Sequence, residues 1–193
     1  MFLLSVFSIL AILSWITMGL VWLKGAFGNK QTVTLPNPIA QTIANILLFG
    51  SPLFLFLPPI TGTWLSEFLF HPETVLGILG CAISWAAVLF AIWARVTLGK
   101  NWSGAVITLK KDHELVTNGP YAFVRHPIYT GYFFATLGTA LTLGTNSSII
   151  ATMMIFCGFL IRMHKEETLM TKQFGHTYTE YKKRSKKIVP FLW

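Results

Sequence analysis

Charge is scarce in this sequence. Only 11% of its 193 residues are Asp, Glu, Lys or Arg, where a soluble domain carries about 25%. The acidic side is thinner still, 7 residues against 15 Lys and Arg. That composition excludes an ordinary soluble surface. Cysteine is nearly absent too. Cys81 and Cys157 both lie inside apolar runs, which excludes a disulfide framework or a zinc-ligand pair and reads both as small buried hydrophobes. There is no glycine-rich phosphate loop after a strand, no Ser-His-Asp pattern that spacing would pick out, and no two-histidine metal spacing on a helix, so no metal is expected. No internal repeat or low-complexity tract interrupts the chain, and its length predicts one domain.

What the chain has is hydrophobic length, 53% of its residues. Residues 1–23 form an uninterrupted apolar run ending at Lys24, enough for a bilayer-crossing helix of about 20 residues. No basic residue precedes the run and no small-residue cleavage site closes it, so it reads as a first span and not as a signal peptide. A second apolar segment covers 41–60, with Pro52 predicting a kink and Pro58-Pro59 an early stop. A third covers 74–94 and ends at Arg95. The uncharged stretch 128–161 is too long for a single span. Gly144-Thr145-Asn146 near its middle predicts a tight hairpin of two short helices. The expectation is an all-α integral membrane protein of five transmembrane helices. It forms a single membrane domain over 1–193, with three N-terminal spans in 1–94 and a core in 95–193.

Basic residues collect on the cytoplasmic side of membrane proteins. Lys24 and Lys30 lie in the first loop and Arg95, Lys100, Lys110, Lys111 and Arg125 in the third. Arg162, Lys165, Lys172, Lys182, Lys183, Arg184, Lys186 and Lys187 lie in the tail. That accounts for all 15, and loops two and four hold none. Five spans then place the N-terminus outside and the tail in the cytoplasm. The net charge of +8 is explained by topology and by attraction to anionic headgroups of the lipid bilayer, so no nucleic-acid partner is needed.

The densest polar and aromatic patch is 113–132, HELVTNGPYAFVRHPIYTGY. Asn118-Gly119-Pro120 reads as a turn, and Pro127 pushes the preceding residue away from helix, so Arg125-His126-Pro127 predicts a bend. A hairpin over 128–161 brings its two ends together, placing Arg125 and His126 beside Arg162 and Glu167. Ionisable groups at membrane depth mark function by default, and carboxylates do little for anchoring. If the last span continues as a helix, Arg162 and Glu166 are spaced i, i+4, and Glu167 points about 100° round from Glu166. Phe174-Gly175 should end that helix and a second should follow with Tyr178 and Tyr181 on one face. Pro190 closes it, and Phe191 and Trp193 read as interfacial anchors. Chemistry alone stops at a membrane-embedded enzyme or transporter with a cytoplasmic polar site.

The motifs go further. Leu115-Val116-Thr117-Asn118-Gly119-Pro120-Tyr121, then Val124-Arg125-His126-Pro127-Ile128-Tyr129-Thr130-Gly131, then Glu166-Glu167, Phe174-Gly175, Tyr178 and Tyr181-Lys182-Lys183-Arg184 closely resemble the isoprenylcysteine carboxyl methyltransferase family, in order and spacing over residues 110 to 190. The first two spans carry no comparable motif. The resemblance implies S-adenosyl-L-methionine as methyl donor, with S-adenosyl-L-homocysteine as product, bound at the cytosolic face without a Rossmann domain. It implies donor contacts from His113, Glu114, Leu115 and Val116, from Gly119 and Tyr121, from Arg125, His126, Pro127, Ile128 and Tyr129, and from Glu167. The acceptor it implies is a prenylated cysteine carboxylate, on a lipid or protein. Arg162 is the first choice to hold that carboxylate, with Met163 and Arg184 beside it and Arg125 and Glu167 completing the reacting site. Related membrane methyltransferases, including phospholipid N-methyltransferases, share parts of the pattern. A lipid N-methyltransferase is therefore the alternative, and a non-catalytic transporter or lipid-binding protein a third.

Overall fold

A computed structural model describes residues 6–26, 38–56, 63–72, 74–102 and 114–189. His113, Pro190, Phe191 and Trp193, given roles by the sequence, lie outside the described residues. The described chain is helical: α1 Val6–Ala26, α2 Pro38–Phe56, α3 Thr74–Leu98, α4 Pro127–Leu143 and α5 Asn146–Arg184, with 3₁₀ turns at Trp64–Ser66, Gly99–Asn101 and Gly119–Ala122. Among the described residues the only β pairing is two isolated bridges, Phe68 with Thr145 and Val124 with Lys186. Three helices are long and apolar enough to cross a membrane, those over Val6–Gly25, Thr74–Asn101 and Asn146–Arg184, and the apolar stretch Gln41–Phe56 is shorter. The helices expose large hydrophobics such as Ile16, Leu20, Phe49, Leu53 and Leu89, as a multi-pass membrane protein does toward lipid.

Small residues and buried hydroxyls hold the helices together, as expected where lipid removes the hydrophobic drive for helix association. On the α3–α4 seam a Cβ at Gly138 would lie 2.6 Å from both the Gly80 carbonyl and the Ser84 nitrogen, so backbone packs on backbone there. Ser84 Oγ sits 2.9 Å from Ser14 Oγ of α1 and 3.3 Å from Thr139 Oγ1 of α4, and Trp15 Nε1 donates to Thr139 Oγ1 at 2.9 Å. At the other end of α1 the buried Arg95 donates to the Gly25 carbonyl and, at 2.9 Å, to that of Gly99. It also lies 4.4 Å from the centre of the Trp102 ring.

The hairpin forms where the sequence places it. Gly144 caps α4 in the left-handed region (φ 65°, ψ 14°), its N–H donating to Ala140 O at 2.8 Å, a conformation that favours glycine. The second arm is not short. α5 runs through 39 residues, with a break at Gly175 (φ 51°, ψ −120°) where Phe174-Gly175 predicts a helix end. From Asn146 to Arg162 the helix rises about 24 Å, a length comparable with a hydrocarbon layer about 30 Å thick. α2 packs antiparallel on α5: Asn45 meets Arg162, a Cβ at Gly158 would touch Leu48, a Cβ at Gly50 would touch Met154, and Leu55 clusters with Ala151. Cys81 is buried, but Cys157 is exposed. That corrects the reading of both as buried, because an apolar run in a membrane helix includes its lipid face.

Candidate active site

After its break at Gly175, α5 turns back and packs against the 119–126 segment. Tyr181, buried, donates its hydroxyl hydrogen to the Tyr121 carbonyl at 2.6 Å. The chain beyond α5 then pairs with the bend before α4. The Arg125 N–H donates to Lys186 O at 2.7 Å, His126 N–H to Lys187 O at 3.2 Å, and Lys186 N–H to Phe123 O at 3.1 Å. Thr130 Oγ1 adds a bond to Ile188 O at 2.8 Å. The tail therefore fixes the backbone of Arg125 and His126 just where Pro127 starts α4.

Two consecutive carboxylates of α5 meet this bend. His126 lies between them, with Nδ1 3.5 Å from Glu166 Oε2 and Nε2 3.3 Å from Glu167 Oε1. Burial alone would lower the imidazole's pKa, but the hydrogen bonds and charges of Glu166 and Glu167 outweigh it and hold it above its ordinary value. Arg125 Nε donates to Glu167 Oε1 at 2.9 Å, and its Nη1 donates to Lys182 O at 3.3 Å and to Ser185 O. Lys182 Nζ stands 3.8 Å from Glu167 Oε2. Glu166 accepts the Tyr129 hydroxyl hydrogen and lies 3.8 Å from Arg162 Nη2, at the expected i, i+4 spacing. Arg162 also donates from Nε to the Tyr129 hydroxyl at 3.1 Å and from Nη1 to Asn45 Oδ1 at 3.2 Å. Tyr129 is stacked between the His126 ring, at 5.6 Å and 8°, and the Phe159 ring, at 4.4 Å and 19°. Tyr121 faces the same cluster, and burial, followed by the charge of Glu166, pushes its phenol well above the usual range.

The cluster forms one end of a cavity of about 590 Å³. Glu114, Leu115, Val116, Tyr121, Arg125, His126, Pro127, Ile128, Tyr129, Arg162 and Glu166 line it. Trp15, Met18 and Trp22 of α1, Leu48, Phe49 and Pro52 of α2, and Ile155 and Phe159 of α5 line its apolar remainder. The hairpin thus unites nearly every residue that the sequence nominates. Four depart from the reading. Glu167 is not on the cavity wall and Glu166 is, because the turn between neighbours on a helix sends Glu167 toward Arg125 and Lys182. Gly119 does not line the cavity; it sits against Thr97 and Trp93. Met163 is fully buried in a core cluster with Ile155, Phe159 and Ile188. Arg184 lies 5.9 Å from the Tyr181 ring and off the wall. Leu98, Asn101, Trp102, Leu169 and Met170 line the cavity without any sequence signal. Among the described residues no group of His, Cys, Asp and Glu could hold a metal ion.

Residues 78–172 match the model of the isoprenylcysteine carboxyl methyltransferase (ICMT) family. The chain is 33% identical over 175 residues to the human protein-S-isoprenylcysteine O-methyltransferase, a match covering 86% of this chain and 61% of that one. It is 37% identical over 101 residues to the Schizosaccharomyces pombe protein of the same name, covering 51% and 43%. A solved structure of the eukaryotic intramembrane Ras methyltransferase ICMT superposes with a TM-score of 0.55 at 26% identity, over 82% of this chain and 55% of that one. The chain thus spans between about two fifths and three fifths of the length of these relatives.

Proposed function

Because the chain belongs to the isoprenylcysteine carboxyl methyltransferase family, we propose that it transfers a methyl group from S-adenosyl-L-methionine to the carboxylate of a prenylated cysteine. The observation that carries this reading is the single cavity with two unlike ends. One end holds Arg125, His126, Tyr129, Arg162 and Glu166, and the other is walled by apolar residues of α1, α2 and α5.

The residues present fit the donor. Its ammonium suits the Glu166 carboxylate, its carboxylate suits Arg125 or His126, and the aromatic faces of Tyr121 and Tyr129 suit adenine or the sulfonium cation. Glu114, Leu115 and Val116 complete that side of the cavity. Glu167 acts one step back, holding Arg125 and His126 in place. When bound, the donor supplies a methyl group on a sulfonium: the acceptor oxygen's lone pair forms the O–C bond, the S–C bond breaks with its pair going to sulfur, and no proton moves.

The protein's work is therefore alignment and water exclusion. Arg162, buried and three-ways held, presents a fork to the acceptor carboxylate. The apolar walls take the prenyl chain, which reaches them from the bilayer. A lipid amine acceptor would need a base to remove its proton, and Glu166, the cavity-wall carboxylate beside Arg162, is already engaged by Arg162, Tyr129 and His126.

The reading carries five spans, with α2 and α4 as the shorter ones, the N-terminus outside and the site in the cytoplasm. The test is calorimetric titration of purified protein in detergent with S-adenosylhomocysteine, followed by methylation assays with N-acetyl-S-farnesylcysteine and with phosphatidylethanolamine. Binding with transfer to the first acceptor alone is expected. Transfer to the amine lipid would replace the ester reading, and no binding would favour a non-catalytic lipid-binding protein.

A further inference from the structure

α2 lies outside the segment that matches the family, and no motif in the sequence singles it out. Four of its residues nonetheless share one face at helical spacing. Asn45 bonds Arg162, and Leu48, Phe49 and Pro52 line the cavity. From Asn45 to Pro52 that face descends about 10 Å along the helix, polar at the Arg162 end and apolar beyond.

We propose that this face of α2 reads the methyl acceptor, with Asn45 as the positioning residue that aims the Arg162 guanidinium at the acceptor's carboxylate. The inference rests on the ester-forming reading above. Its physical basis is the choice of partner. An asparagine carbonyl accepts the Nη1–H at 3.2 Å without adding charge. Glu166 reaches Nη2 only at 3.8 Å, while its closer contact is the Tyr129 hydroxyl. Arg162 is thus held from α2, α4 and its own helix. A polar side chain buried in a membrane helix is costly unless it is paired, and here the partner of Asn45 is the arginine assigned to the acceptor. The next turns of the same face then meet the lipid chain of the same molecule, so one helix face would check both its head and its tail.

The experiment compares Asn45→Asp, Asn45→Gln and Asn45→Leu in full-length protein, measuring KM and kcat for N-acetyl-S-farnesylcysteine and, separately, affinity for S-adenosylhomocysteine. Asp introduces an internal carboxylate that competes for Arg162. It should raise the acceptor KM by about tenfold or more, leave homocysteine-product affinity unchanged, and exceed the effect of Leu. Gln retains a neutral acceptor and should recover part of the wild-type KM. Equal losses for Asp and Leu, or product affinity falling in step with KM, would make Asn45 a helix-packing residue and overturn the assignment. A wild-type protein that binds the product analogue but fails to methylate the prenylcysteine would overturn the acceptor reading and this assignment together. An active wild type with an unaltered Asp variant overturns only this one.

Discussion

Arg125 Nε donates to Glu167 Oε1 at 2.9 Å, joining the bend before α4 to α5. Both side chains are nearly buried, at 11% and 12% exposure. Removing one member of a buried pair costs about 3–5 kcal/mol. Arg125 keeps the Lys182 and Ser185 carbonyls, so Glu167→Ala should fall near the lower end. Stability and S-adenosylhomocysteine affinity should drop together, because Glu167 acts through Arg125 and His126. Glu166 faces the cavity itself. Glu166→Gln should therefore weaken product binding more than Glu167→Gln does. Calorimetry on the two variants decides it, and the reverse order would return the direct ligand role to Glu167.

His126 gives the site a pH dependence. Its pKa is raised in the folded state by Glu166 and Glu167. The stability it contributes is fully present below the unfolded value of about 6.5 and is lost as pH rises through the raised folded value. Thermal unfolding in detergent, scanned upward in pH from about 6, should show a falling midpoint. His126→Gln should flatten that slope. An unchanged slope in the variant would assign the dependence to another group.

Much of this was readable from residue order, and the reasons are physical. Gly144 and Gly175 announce themselves because their left-handed backbone is costly for other residues. The meeting of Arg125, His126 and Arg162 follows once a hairpin is placed over 128–161. What stayed hidden depends on partners that leave no local pattern. The tail's pairing of 186–188 with 123–130 runs through backbone groups and Thr130, which any sequence offers. Asn45 is one of several polar residues of α2, with Gln41, Thr42 and Ser51, until α2 is docked on α5. Glu166 and Glu167 are neighbours, and only the rotation of α5 fixes which enters the cavity.

The topology makes a separate prediction. In the proposed five-span arrangement all 15 basic residues of the sequence fall on one side, which would put the C-terminus in the cytoplasm. A reporter fused after Trp193 that is active only in the cytoplasm should be active, and the same reporter inserted between Ser66 and Glu67 should be silent. An external C-terminus would leave an even number of spans and a different inner face.

Arg162 decides whether the cavity is an acceptor site or only a donor site. It lies one turn deeper than Glu166, on the boundary between the polar cluster and the apolar walls, where a lipid-borne carboxylate would arrive. It is 4% exposed, so a carboxylate meeting it does so with little water between. Losing such a partner costs on the order of 2–4 kcal/mol of transition-state stabilisation, a rate loss of roughly 30- to 1000-fold. Arg162→Ala should show that loss in methyl transfer with a much smaller change in S-adenosylhomocysteine affinity. Arg162→Lys keeps the charge but cannot reach the Tyr129 hydroxyl, Asn45 and the acceptor with one planar fork, so it should recover only part of the rate. Donor affinity and transfer rate must be measured on the same protein. If affinity falls as steeply as rate, Arg162 belongs to the donor site or the fold, and Arg125, the other arginine on the cavity wall, becomes the acceptor's partner.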